Sequence, residues 1–302
     1  MKRIAALCIA IAFSSPVAAE ELTGTLKKVD ETGVIAVGIQ EGSIPFSYID
    51  GNQKVIGFSV DICSIFADEI GKKLGKKVET NYVTVTTSNR IPLLMNGTID
   101  LLCGSATNSE ERQRQVDFTN THFVAANAFV ARKDKNLKKI DDLKGKTVVS
   151  TAGSTNIGQL SAVNAERKLG MNIIGAKEHF EAFLMLETGR ADAYVLDDIA
   201  LAVAVARSKE PDAYALAEEA FSLPQPMGIM LRKDDPQFKA LLNETTRELY
   251  GSSRISELYT KWFESPVPPS GVNFRYPMPA ALKHAYANPS NSFDPKEYVG
   301  SH

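Results

Sequence analysis

Gly33-Val34-Ile35-Ala36-Val37-Gly38 reads as a buried strand, and Phe58, Ile62, Ile65, Phe66 and Ile70 then recur at helical spacing until Gly75 closes the run. Residues 78–85 and 99–103 read as further strands, separated by a short helix at 90–95. This alternation is the pattern of an α/β fold with a mostly parallel sheet. It restarts after an extended stretch at 122–135. Residues 147–151, 171–176 and 191–196 read as strands, and 156–169, 180–188 and 199–207 as helices.

Two such runs predict two lobes, although no sequence repeat joins them. Pro224-Gln225-Pro226 interrupts regular structure after the second run. Helical patterns at 236–250 and 253–263 belong to neither run. The tail from Pro266, rich in Pro, Ser and Asn, reads as an irregular wrap or a loosely ordered extension. The expected division is lobe 1 from 20–122 and 227–302, lobe 2 from 123–226, and a two-strand hinge where the chain crosses near 122–126 and 223–227. Open α/β sheets bind ligands outside the carboxyl ends of their strands, so the cleft between the lobes is the expected site.

The chain opens with an export signal at 1–19: Lys2 and Arg3, an apolar run from Ala5 to Phe13, and the small-residue site Val17-Ala18-Ala19. The apolar run falls short of the roughly 20 residues that span a bilayer. Cys8 follows Leu7 instead of a small residue, which argues against lipid attachment. A soluble periplasmic product of about 280 residues is expected, long enough for one large domain or two ordinary ones. A formal net charge of −2 gives no reason to expect nucleic acid or an anionic membrane as partner. Cys63 and Cys103 remain after cleavage, free either to pair in an oxidising compartment or to serve as buried small hydrophobes. Neither has a His or Cys at metal spacing, and nothing points to a metal or an organic cofactor.

Three strand ends carry polar clusters. After residues 99–103 comes Gly104-Ser105-Ala106-Thr107-Asn108-Ser109-Glu110-Glu111-Arg112, where Thr107 with Glu110, or Asn108 with Glu111, fits a capping box. Arg112 in that first turn opposes the helix dipole and suits an anion better than the helix. Thr151-Ala152-Gly153-Ser154-Thr155 joins the next strand to its helix with hydroxyls and free N–H groups, a pattern that also serves as a plain cap. Asp197-Asp198 ends the strand at 191–196, where a carboxylate can meet an ammonium group or cap the next helix. An Arg, an Asp and several hydroxyls at matching ends of two sheets satisfy a zwitterion. No GxSxG, Cys-His pair, phosphate loop or HExxH accompanies them.

With these residues assembled, the chain resembles the bacterial extracellular solute-binding proteins of family 3, the amino-acid receptors of ABC importers, and most closely those that bind glutamate and aspartate. The resemblance rests on Ser43-Ile44-Pro45-Phe46-Ser47-Tyr48, Ser88-Asn89-Arg90-Ile91-Pro92-Leu93-Leu94, Cys103 through Arg112, and Met230 through Pro236. It implies two α/β lobes of type II arrangement that close on an amino acid, a membrane permease as partner, and a monomer. Under it, Arg112 and Thr107 hold the α-carboxylate with Thr151 and Ser154, and Ser105 and Asp197 hold the α-ammonium. Arg90 and His179 match the side-chain subsite of the acidic-ligand receptors. Thr87 replaces a Ser there, and Gln40 stands where an Arg is expected. The receptors' cysteine near the second crossing is absent, the region reading Met227-Gly228-Ile229-Met230, so a paired Cys103 has only Cys63 as candidate.

Gln40 removes a positive charge from the side-chain subsite. An acidic ligand then relies on Arg90 and, when protonated, His179. Gln40 alternatively meets the amide of glutamine or asparagine, which leaves Arg90 unpaired. Phe46 and Tyr48 either line the apolar part of the cleft or pack the core. The rival reading is an enzyme, because relatives of these receptors include dehydratases acting on prephenate-like acids; His179 and Glu178 would then supply acid chemistry. The expectation is a binding protein without a catalytic residue.

Overall fold

The computed structural model describes residues 21–299, so the export signal read at 1–19 lies outside the described residues. In chain order, α1 (Gly24–Thr32) leads into β1 (Val34–Ile39), α2 (Phe58–Leu74), β2 (Glu79–Thr84) and α3 (Arg90–Met95). Then come β3 (Leu101–Leu102), α4 (Glu110–Gln113), β4 (Val116–Phe118) and the paired segments β5 (Phe123–Ala125) and β6 (Asn127–Arg132). Next are β7 (Thr147–Thr151), α5 (Thr155–Glu166), β8 (Asn172–Ala176), α6 (His179–Glu187), β9 (Ala193–Asp197), α7 (Asp198–Arg207) and β10 (Tyr214–Leu216). The chain returns through β11 (Gln225–Met227) and β12 (Met230–Arg232) to α8 (Pro236–Tyr250), α9 (Ser253–Tyr259) and α10 (Ala280–Ala287).

Two five-stranded sheets result, ordered β2-β1-β3-β12-β4 and β8-β7-β9-β6-β10. In the first, β2, β1 and β3 are parallel, and β12 lies antiparallel between β3 and β4. In the second, β8, β7 and β9 are parallel, and β6 lies antiparallel between β9 and β10. The reversed strand of each sheet is the one that comes directly after a crossing between the sheets. The crossings themselves, β5 and β11, pair antiparallel with Phe123 opposite Met227 and Ala125 opposite Gln225. Pro226, which reads as an interruption in the sequence, therefore sits inside a strand. A two-stranded ribbon has only edges, where the missing N–H of proline is tolerated.

Helix α2 shows why the opening stretch decides the fold. It buries Phe58, Ile62, Ile65, Phe66 and Ile70 on one side, places Lys72 and Lys73 at its negative end, and stops at Gly75, whose left-handed φ of 66° suits glycine. Cys63 on this helix is joined by a disulfide to Cys103 beyond β3, with Cα atoms 6.3 Å apart. Pairing is thus the outcome of the two alternatives left open by the sequence.

Phe46, Phe58 and Phe263 surround Phe123 of the first crossing, with ring centroids 4.9 Å apart for Phe46 and 5.0 Å for Phe263. Edge and offset contacts of this kind add to the area that the rings bury. Phe46 and Tyr48 are each only 1% exposed and belong to this core, not to the cleft. The tail is ordered into contacts, contrary to the looser alternative. Pro266–Val267 pairs with Val272–Asn273, α10 buries Leu282, Ala285 and Tyr286, and the Tyr286 hydroxyl donates to His122 O at 2.9 Å. The first sheet, the crossings and the tail thereby share one apolar core, and the second sheet is covered on each face by its own cluster.

Candidate functional site

A small, tightly closed cavity of about 10 Å³ lies between the sheets. Thr87, Arg90, Ser105, Thr107 and Arg112 line it from the first, and Ser154, Thr155, Asn156, His179 and Asp197 from the second. The structure thus brings together eight residues singled out in the sequence: Arg90, Thr87, Ser105, Thr107, Arg112, Ser154, His179 and Asp197. Gln40 and Thr151 stand one layer behind. The Gln40 amide donates to Thr87 Oγ1 at 3.0 Å and accepts from Arg90 Nη1 at 3.3 Å. Thr151 Oγ1 lies 2.7 Å from His179 Nδ1.

Arg112 owes its place to α4. The helix is capped by Ser109, whose hydroxyl accepts from the Arg112 N–H at 3.3 Å, so neither expected capping pair is used. The side chain turns back into the cleft, donates to Thr107 O at 2.9 Å and reaches Gly153 O of the opposite lobe at 3.3 Å. Burial lowers its pKa to about 10, which leaves it charged at neutral pH. Gly153 permits the approach: its φ is +75°, and a Cβ there would meet the Ser88 backbone at 2.9 Å. Thr155 Oγ1 donates to Thr107 Oγ1 at 3.1 Å and Ser88 Oγ to Ala152 O at 3.2 Å, so the lobes touch in a closed arrangement.

Arg90, at the start of α3, is 3% exposed, and its Nε has no hydrogen-bond partner among the described residues. Among those residues neither Arg90 nor Arg112 forms an ion pair. Burial first, and then the charge of Arg112, hold the Arg90 pKa well below the usual guanidinium range. A buried cation without its full complement of acceptors is a costly arrangement that an incoming anion relieves.

Asp197 at the end of β9 points its carboxylate away from the helix directly after it. Asp198 accepts from the Ile199 N–H at 2.7 Å and serves that end instead, while Asp197 Oδ1 accepts from Asn156 Nδ2 at 2.9 Å. Burial raises its pKa to about 6, against the pull of Asn156, Arg112 and Arg90. His179 is held down to about 4 by burial and by Arg90, so it is neutral at pH 7. Ser105 Oγ lies 2.9 Å from Ser43 Oγ. The Ser154 hydroxyl caps α5, accepting from Ile157 N and donating to Thr151 O. Thr155, Asn156 and Leu196 complete the lining and are not among the site residues expected from the sequence. Thr155 closes the cluster read as a helix start, and Asn156 comes directly after it.

A cleft closed by two α/β sheets of this order, with a charged pocket at the strand ends, defines a solute-binding protein, and the chain belongs to the bacterial extracellular solute-binding proteins, family 3, whose model matches residues 35–265. It is similar to the L-glutamate/L-aspartate-binding protein of Pseudomonas aeruginosa, at 44% identity over 94% of each chain. It is also 38% identical to the glutamate/aspartate import solute-binding protein of Escherichia coli, over 96% of this chain and 98% of that one. Among solved structures, a mutant of ArgBP from T. maritima superposes with a TM-score of 0.71 at 30% identity, covering 79% of this chain and 99% of that chain. These relatives are binding proteins, and a non-enzymatic role is the consequence.

Proposed function

We propose that this chain captures glutamate or aspartate in the periplasm, as a monomer, and delivers it to the permease of an ABC importer. The observation that carries the proposal is the charge balance of the cavity. Arg90 and Arg112 contribute two positive charges, Asp197 one negative, and His179 none at neutral pH. An amino acid with an ionised side-chain carboxylate carries one net negative charge and neutralises the site. Glutamine or asparagine leaves the Arg90 cation unmatched, at a cost in a buried position. Gln40 does not line the cavity, and its amide bonds to Thr87 and Arg90 behind it.

In this reading Arg112 and Thr107, supported by Thr151 and Ser154, take the α-carboxylate. Ser105 and Asp197 take the α-ammonium, and Arg90, Thr87 and His179 take the side-chain carboxylate, with Gln40 orienting Arg90. The two lobes, divided where the sequence reading puts the crossings, at 122/123 and 226/227, turn about β5 and β11. Ligand groups that bridge Arg112 and Asp197 favour the closed state to the extent that they bind it better than the open one. The names of the relatives from Pseudomonas aeruginosa and Escherichia coli support the same ligand class.

A thermal-shift screen of the ligand-stripped mature chain against the common amino acids tests this, because a ligand that binds the native state raises its apparent stability. Selective stabilisation by glutamate and aspartate is expected. Stabilisation by glutamine or asparagine alone contradicts the charge argument.

A further inference from the structure

Behind Asp197 runs a chain of side-chain amides that the cavity itself does not account for. Asn156 Nδ2 donates both to Asp197 Oδ1 at 2.9 Å and to Asn127 Oδ1 at 3.0 Å. Asn127 Nδ2 donates to Gln159 Oε1 at 2.8 Å, and Gln159 Nε2 donates to Gln225 Oε1 at 2.7 Å. Beyond Asn156, each amide accepts at its oxygen from the one nearer Asp197; Asn127 and Gln159 pass a hydrogen bond onward from their nitrogen, and Gln225 ends the chain.

The placement of these residues is specific. Asn127 is buried, begins β6 immediately after the first crossing, and sits opposite Asp197 in the β6–β9 ladder. Gln225 opens β11, the second crossing, opposite Ala125. Gln159 on α5 joins the two. None of Asn127, Gln159 and Gln225 lines the cavity. Asn156 and Asn127 are buried and Gln159 and Gln225 half-buried, and a hydrogen-bonded amide row fixes geometry more tightly than apolar contacts do.

We propose that Asn127, Gln159 and Gln225 are positioning residues for Asp197: they fix its carboxylate against the ammonium group of the ligand and join that contact to both strands on which the chain crosses between lobes. The inference rests on the reading of Asp197 as the ammonium-binding group. An occupied Asp197 then holds the amide row in its closed-cleft arrangement through β5–β6 and β11 together, instead of acting on one lobe alone.

The test is calorimetric titration of the full mature chain with L-glutamate and with glutarate, which lacks the ammonium group. Wild type is compared with Gln159→Leu and Gln225→Leu, each also in an Asp197→Asn background. Either leucine variant should bind L-glutamate about tenfold more weakly, the scale of one broken link in a half-buried network. Glutarate should bind each leucine variant as it binds wild type, and the further loss should vanish when Asp197 is already Asn, because residues acting through one group are not additive with its removal. Undiminished L-glutamate affinity, equal losses for L-glutamate and glutarate, or the same loss in the Asp197→Asn background would overturn the assignment. Should Gln159→Leu fail to fold, Gln225→Leu decides alone. Absence of binding of any amino acid by wild type would instead refute the ligand reading itself.

Discussion

Replacing Arg90 by Met separates a binding cation from a structural one, because the two roles predict opposite signs. In the closed arrangement the guanidinium is 3% exposed, donates one 3.3 Å hydrogen bond to Gln40 Oε1 and leaves Nε without a partner among the described residues. Met fills similar volume without a charge, and substitutions of that kind at buried ionic sites are commonly neutral or stabilising by about 1–4 kcal/mol. Orphaning Gln40 Oε1 costs about 1 kcal/mol in return. The ligand-free Tm of Arg90→Met should therefore be unchanged or raised, on a scale of about 2–4 °C per kcal/mol. In the complex the same change removes charge-assisted bonds of about 1.5–3 kcal/mol each. Loss of about 3 kcal/mol corresponds to roughly 100-fold weaker glutamate binding at about 1.4 kcal/mol per tenfold. Differential scanning calorimetry of the stripped protein and isothermal titration with glutamate measure the two effects. A Tm lowered by many degrees with glutamate affinity intact would show that Arg90 holds the fold, and the charge argument would fail.

Arg112→Ala should abolish binding of every amino acid, since it removes the proposed α-carboxylate partner and the bridge to Gly153, whereas Arg90→Met weakens acidic ligands selectively; equal losses for glutamate and glutamine in both variants would contradict that division. Cys63→Ala with Cys103→Ala opens a link across 40 residues and should lower stability by about 4 kcal/mol in the chain-entropy account, read by chemical denaturation; no loss would show that the link constrains little. For pH, burial pushes the Asp197 carboxyl up to about 6, with Asn156, Asp198, Arg112 and Arg90 as its charged or hydrogen-bonding neighbours, and the proposed contact with a ligand ammonium favours the ionised form. Binding then expels a proton below pH 6, so glutamate affinity should be flat above that value and fall as the pH drops through it. Measuring the profile in His179→Gln removes the cavity's histidine, which otherwise titrates near 4; an affinity that rises on acidification would refute the role of Asp197.

The fold was legible where burial imposes a period. The β1 and α2 stretches carry it because a doubly covered strand and an amphipathic helix leave different apolar spacings. Pro226 misled because a proline in a lone two-stranded ribbon obeys edge rules that composition does not show. The tail reads equally as a wrap or a loose extension because the contacts that order it, such as Tyr286 with His122, lie far apart in sequence. Within the site, strand-end chemistry pointed to Arg112 and Asp197, while Arg90, His179 and Gln40 emerged only through the family resemblance. Ser154 illustrates a residue whose hydroxyl serves the helix it caps as well as the cavity wall. Asn156 was missed because a single amide at a helix start has no signature; its meaning comes from Asp197 and Asn127, 41 and 29 positions away.

The most direct measurement is isothermal titration of the ligand-stripped mature chain at pH 7 with L-glutamate and, separately, with L-glutamine. The uncompensated positive charge at Arg90 predicts that glutamate binds at least tenfold more tightly, a difference of about 1.4 kcal/mol. Equal affinities, or a preference for glutamine, would contradict the claim that the buried arginine selects a carboxylate.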